Sequence, residues 1–129
     1  MKTFFYIQLA MLLMACSGCK TVTEINQQLD SKSGKEVVLV RVISDSRCPE
    51  GVQCVWAGEV TIEVAVYENK KLSEQTQLTL NAQSADEVKE WFVARLPKNK
   101  EKLKAVSVVP YPKDGVTIQP EEYKIVLKY

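Results

Sequence analysis

Apolar and polar residues alternate with period two through most of the chain beyond residue 35. Val60, Ile62, Val64 and Val66 share one face of a predicted strand, with Thr61, Glu63, Ala65 and Tyr67 on the other. Residues 36–43, EVVLVRVI, form a β-branched run suited to a strand buried on both sides or lying at the core of a sandwich. Asn69-Lys70 predicts a hairpin turn into residues 72–80, LSEQTQLTL. Residues 103–109, LKAVSVV, and 122–129, EYKIVLKY, are two further strands. The last sets Ile125, Leu127 and Tyr129 against Lys124, Val126 and Lys128. PYPKDG and QPE punctuate these strands as turns. The pattern predicts a mainly β fold, a compact antiparallel β-sandwich or barrel-like domain.

One segment departs from it. In residues 84–96, SADEVKEWFVARL, Ser84 and Glu87 stand at capping-box spacing. Val88, Trp91, Phe92 and Leu96 follow as an apolar stripe at helical spacing, stopped by Pro97. This predicts one short helix covering an open end of the sheet.

The first residues change the picture of where the domain sits. Lys2 precedes an apolar run from Phe4 to Ala15, interrupted only by Gln8. That run is too short to span ~30 Å of hydrocarbon, and it suits a secretory leader. It ends in Leu13-Met14-Ala15-Cys16, which resembles the bacterial lipobox. The resemblance implies cleavage after Ala15 and a lipid on Cys16, with Cys19 a rival site carrying a weaker motif. A Ser follows Cys16, so no acidic signal for inner-membrane retention is present. The expected organisation is a leader at 1–15, a polar tether at 16–35 with Ile25 and Leu29 as candidates to dock as a short turn or strand, and one β-rich domain at 36–129. The expected location is the bacterial cell envelope, lipid-anchored and facing the periplasm from the outer membrane.

Charge and composition narrow the function classes. The chain carries 17 basic and 16 acidic residues and no histidine. Loss of Lys2 with the leader leaves the balance near zero. Such a surface has no electrostatic footprint for nucleic acid and no polybasic patch for anionic lipid. Membrane attachment is therefore expected through Cys16 alone. Absence of histidine removes Ser–His, Cys–His and His-ligated metal mechanisms. No cofactor, metal ligand set or catalytic group is expected.

Five residues separate Cys48 from Cys54, among them Pro49-Glu50-Gly51, which reads as a turn. A zinc site needs two more ligands, and a redox pair more usually shows Cys-x-x-Cys at a helix start. Outside the cytoplasm such a pair is expected as a disulfide. Closing a loop of about seven residues stabilises by roughly 2.4 kcal/mol in the chain-entropy account. Trp56 is expected in the core beside that bridge, and the alternative is an exposed Trp that recognises a sugar or a peptide. Gly58 is expected to let the backbone pass close by. Asp45, Glu50 and Glu59 bracket the loop as candidate acid–base groups, although Asp45 reads first as a turn cap and Arg47 as its partner or that of Glu59.

The residues DSRCPEGVQCVWAGEV, a later LTL strand, VSVVPYP and the closing YKIVLKY are similar to a group of small, largely uncharacterised bacterial secreted proteins and lipoproteins. Their pattern joins a DSRCP-x-x-V-x-C-x-W-x-G loop to a later PYP and a terminal Tyr-containing strand. The resemblance covers residues 36–129 and implies a compact β-rich fold with no activity to transfer. The leading expectation is a non-catalytic envelope module that binds an envelope protein or serves structurally. A loop-presenting inhibitor or adhesin, built on the Cys48–Cys54 loop, comes second, and a carboxylate-dependent hydrolase third.

Overall fold

A computed structural model of the chain describes residues 21–30, 34–97 and 102–129. The expected leader, Cys16 and Cys19 lie outside the described residues, as does most of SKSGK. The described chain forms six strands and one helix: β1 (Val22–Ile25), β2 (Lys35–Asp45), β3 (Val60–Glu68), β4 (Lys71–Leu80), α1 (Ala85–Arg95), β5 (Ala105–Val109) and β6 (Lys124–Lys128). The strands make two three-stranded antiparallel sheets, ordered β2-β3-β4 and β1-β6-β5. Each sheet keeps two edges, so the fold is not a closed barrel. Both sheets contribute to one core, with Leu39, Val60, Ile62, Val64 and Val66 from the first and Val108, Ile125 and Leu127 from the second.

The period-two reading of β3 holds: its four predicted core positions are buried. So does the hairpin turn. Asn69 and Lys70 both take positive φ, 50° and 66°, the conformation of a two-residue turn matched to strand twist. In β2 only Val37, Val38 and Leu39 are buried, whereas Val40 and Ile43 face solvent. The pairing register slips between Leu39 and Arg41 and again between Val42 and Ser44. Each slip leaves one residue outside the ladder, as a β-bulge does. Those residues are Val40 and Ile43.

Within the stretch expected as a tether with a docking turn or strand, Val22–Ile25 forms β1 on β6. Ile25 docks in the core and Leu29 stays exposed. The domain therefore takes in this strand, because Ile25 completes the apolar face that Ile125 and Leu127 present.

The helix covers the core as expected, with Val88 and Phe92 buried and Trp91 and Leu96 packed at the margin. Arg95 clamps it to β4 through Glu74 at 2.8 Å and lies over the Trp91 ring. The capping box is absent. Ser84 Oγ accepts from the Asn81 N–H and donates to the Thr79 carbonyl, and the Asn81 carboxamide oxygen accepts from Gln83 and Ser84 N–H. The helix thus starts from an Asx-type turn that uses up the Ser84 hydroxyl.

Candidate functional site

The ladder of β2 and β3 does not end with the strands. Ser46 N–H donates to the Glu59 carbonyl (2.8 Å) and Cys48 N–H to the Ala57 carbonyl (2.9 Å), in the register set by Asp45 opposite Val60. This extension carries residues 46–59 beyond the core. Gly58 sits at its tightest point, with φ +73°, where a Cβ would meet Ser46 O at 1.9 Å. The expected close backbone passage is there, and only a residue lacking a side chain fits it.

Beyond the crossing, Cys48 and Cys54 are joined as a disulfide, with Cα atoms 5.9 Å apart. The staple was legible in the sequence. Trp56 was not: it is 67% exposed instead of buried beside the bridge, and Val55 is fully exposed. The reason is geometric. The extended ladder carries Trp56 beyond Val60, where β3 meets the core.

A second loop braces the first. Glu50 N–H donates to the Pro112 carbonyl (2.9 Å), and Glu50 makes an isolated bridge with Lys113. Arg47 supplies the strongest tie. Its Nε and Nη2 donate to the two Asp45 oxygens at 2.8 and 2.6 Å, and further N–H groups reach the Val108 and Pro110 carbonyls. The guanidinium also lies 4.9 Å from the centroid of the Tyr111 ring. Both members of the Asp45–Arg47 pair have side chains only 9% exposed. Tyr123 OH donates to Asp45 Oδ2 at 3.1 Å. Burial raises the Asp45 pKa, but the Arg47 hydrogen bonds and charge, with help from Tyr123, outweigh it and hold the carboxyl below its ordinary value. Tyr123 is shifted upward by burial and by the neighbouring carboxylate.

The structure places the three candidate acid–base groups as follows. Asp45 is committed to Arg47 and Tyr123. Glu59 accepts from the Asn81 side chain and not from Arg47, and Glu50 lies exposed on the loop. A cleft of about 400 Å³ is lined by Arg47, Tyr111, Asn81 and Lys128 around apolar walls from β3, β4, α1 and β5. None of the three carboxylates lines it. What the arrangement offers is a surface: Val52, Val55 and Trp56 on the stapled loop, and Tyr111 and Val116 on its brace, are all exposed apolar side chains. Tyr111, Val55 and the cleft were missed in the sequence reading. The nearest signal was the pairing of DSRCP with PYP, which Arg47 joins in space.

Comparison with known proteins yields no matching family model, no similar curated protein and no similar solved structure.

Proposed function

We propose that this chain is a non-catalytic, lipid-anchored module of a bacterial cell envelope that binds a protein partner through Val55 and Trp56, which follow its disulfide-closed Cys48–Cys54 loop. Anchoring falls to Cys16, in the lipobox-like Leu13–Cys16 stretch, with the domain facing the periplasm. The observation that carries the binding reading is the exposure of Trp56 and Val55 on a loop fixed by a disulfide, a backbone ladder and the Arg47 network. A Trp held in water on a rigid support has the character of an interface hot spot. Because the support is already ordered, little conformational entropy is left to lose on binding.

The test is photocrosslinking from position 55 in intact envelopes. The expected result is one discrete adduct that disappears with Trp56→Ala and with Cys48→Ser/Cys54→Ser, while a probe at exposed Glu121 gives none. Adducts that are the same from both positions, or unchanged by Trp56→Ala, would remove the loop from the interface.

A further inference from the structure

The cleft beside the loop runs along a strand edge, and the hydrogen-bond pattern identifies which backbone groups face it. Tyr129 N–H donates to the Thr21 carbonyl, so in the β1–β6 register Ile125 and Leu127 also turn their backbone groups toward β1. Lys124, Val126 and Lys128 therefore serve β5, where they face Val109, Ser107 and Ala105. The remaining β5 residues, Val106 and Val108, must direct N–H and C=O away from β6. Arg47 confirms the assignment by reaching the Val108 carbonyl at 2.6 Å from that outer side. Among the described residues, nothing accepts from the outward N–H of Val106 or Val108, and nothing donates to the Val106 carbonyl.

We infer that β5 is a receptor edge, to which an extended apolar peptide segment of the partner protein adds as an antiparallel strand with a carboxylate at its C-terminal end. The inference rests on the reading that the chain binds a protein, and it goes beyond the loop by naming the form in which the partner is held. Strand addition needs a row of free backbone groups for affinity and pockets for alternate side chains for specificity. The row is Val106 N–H, Val106 C=O and Val108 N–H. The pocket is the adjoining 400 Å³ cleft, walled by Val60, Leu80 and Val88, and side chains projecting to one side of an added strand would enter it.

Charge selects the direction. The lining holds two cations, Arg47 and Lys128, and no carboxylate. Arg47, at the C-terminal end of β5, already has both Asp45 oxygens on its fork. Lys128 lies opposite Ala105 at the N-terminal end of β5 and is exposed, with no carboxylate partner among the described residues. An antiparallel peptide places its C-terminal end there. A parallel one would place it against a guanidinium that is already neutralised.

The experiment uses the ¹⁵N-labelled full-length chain in detergent micelles. The probe is an N-acetylated hexapeptide of alternating valine and threonine with a free C-terminal carboxylate. Its C-terminal amide and a form N-methylated on the residues that face β5 serve as comparisons. Saturable binding should slow amide exchange at Val106 and Val108 and leave Ser107 unchanged. N-methylation should weaken binding roughly fivefold or more, since it removes the peptide donor to the Val106 carbonyl and crowds the strand edge. Val106→Pro deletes an outward donor without touching the rungs to β6 and should abolish binding. Lys128→Gln, a change at an exposed side chain, should weaken the carboxylate form roughly threefold and leave the amide form unaffected.

Equal binding of the methylated peptide, or no saturable change at Val106 and Val108 at millimolar peptide, overturns strand addition. The two readings also separate. If Trp56→Ala abolishes the envelope adduct while Val106→Pro leaves it intact, the loop interface stands and the receptor edge falls. Peptide bound at β5 with no adduct from position 55 gives the reverse.

Discussion

Replacing Gly58 by alanine tests whether the loop is held by its crossing or only by its disulfide. The residue sits at φ +73°, where a side chain costs roughly 1–2 kcal/mol. The added Cβ would also lie 1.9 Å from Ser46 O, 2.7 Å from Ser46 C and 2.9 Å from the Arg47 Cα. All three are backbone atoms, so no side chain can swing aside to relieve the overlap. The ladder must open instead. Its first rung, Ser46 N–H to the Glu59 carbonyl at 2.8 Å, is the one displaced, at about 1 kcal/mol for a net hydrogen bond. Together these give a loss of roughly 2–3 kcal/mol. Gly51→Ala is the control. It shares the positive φ, +81°, but nothing lies within 4 Å of its Cβ, so it should lose only the roughly 1–2 kcal/mol that φ imposes and keep the rung. Urea unfolding of the oxidised protein measures both, provided the denaturant slope is unchanged. Equal losses for the two alanines would show that the crossing is slack and that the argument from Gly58 is wrong.

Asp45→Asn leaves the Arg47 guanidinium without its charge partner and should cost about 3 kcal/mol, as expected for a broken buried pair. Because the folded Asp45 pKa lies below an unfolded value near ~3.9, its contribution is complete above that value and is lost as the pH falls through the folded one. Acid unfolding of Asp45→Asn should lack that limb of the profile. Cys48→Ser/Cys54→Ser should cost about 2 kcal/mol in urea unfolding while leaving the far-ultraviolet circular dichroism of the sheets unchanged. Trp56→Ala should change stability by no more than ~0.5 kcal/mol, since an exposed side chain contributes little to folding; a loss of several times that would return Trp56 to the core. Cys16→Ser should abolish metabolic acyl labelling, and labelling that persists would move the anchor to Cys19 or remove it.

The parts of this fold that could be read from the sequence are those whose pattern is local. The buried face of β3 follows from four apolar residues two apart, and the β3–β4 turn from two adjacent residues that tolerate positive φ. In β2 the same counting fails at Val40 and Ile43, because counting by two assumes an uninterrupted ladder and two bulges break it. The capping box failed for a related reason. Ser84 and Glu87 have the right spacing, but the Ser84 hydroxyl finds the Thr79 carbonyl and the Asn81 N–H first. The Asp45–Arg47 pair could be read from two near neighbours, but the ties of Arg47 to Val108 and Pro110 could not, since these lie 61 and 63 residues away and no period reaches that far. The β5 edge was hidden in a different way: its strand was predicted, but which of its residues face outward depends on the register with β6.

Trp56 shows why burial and rigidity have to be argued separately. From composition, a Trp beside a disulfide belongs in a core, because burying it is the usual way a large aromatic stabilises a fold. Here the stabilising contacts run through other groups. The disulfide closes the loop, Gly58 permits the crossing, and Arg47 binds the loop base to Asp45, Val108 and Pro110. None of these contacts uses the indole. A loop fixed without its largest apolar side chains leaves those side chains free for a partner, and this separation distinguishes a presented surface from a core residue that has merely come loose. Arg47 joins that surface to the second candidate. By taking the Val108 carbonyl it occupies one group of the β5 edge and leaves the outward groups of Val106 and the Val108 N–H open, so the residue that steadies the loop also marks where an added strand would have to stop.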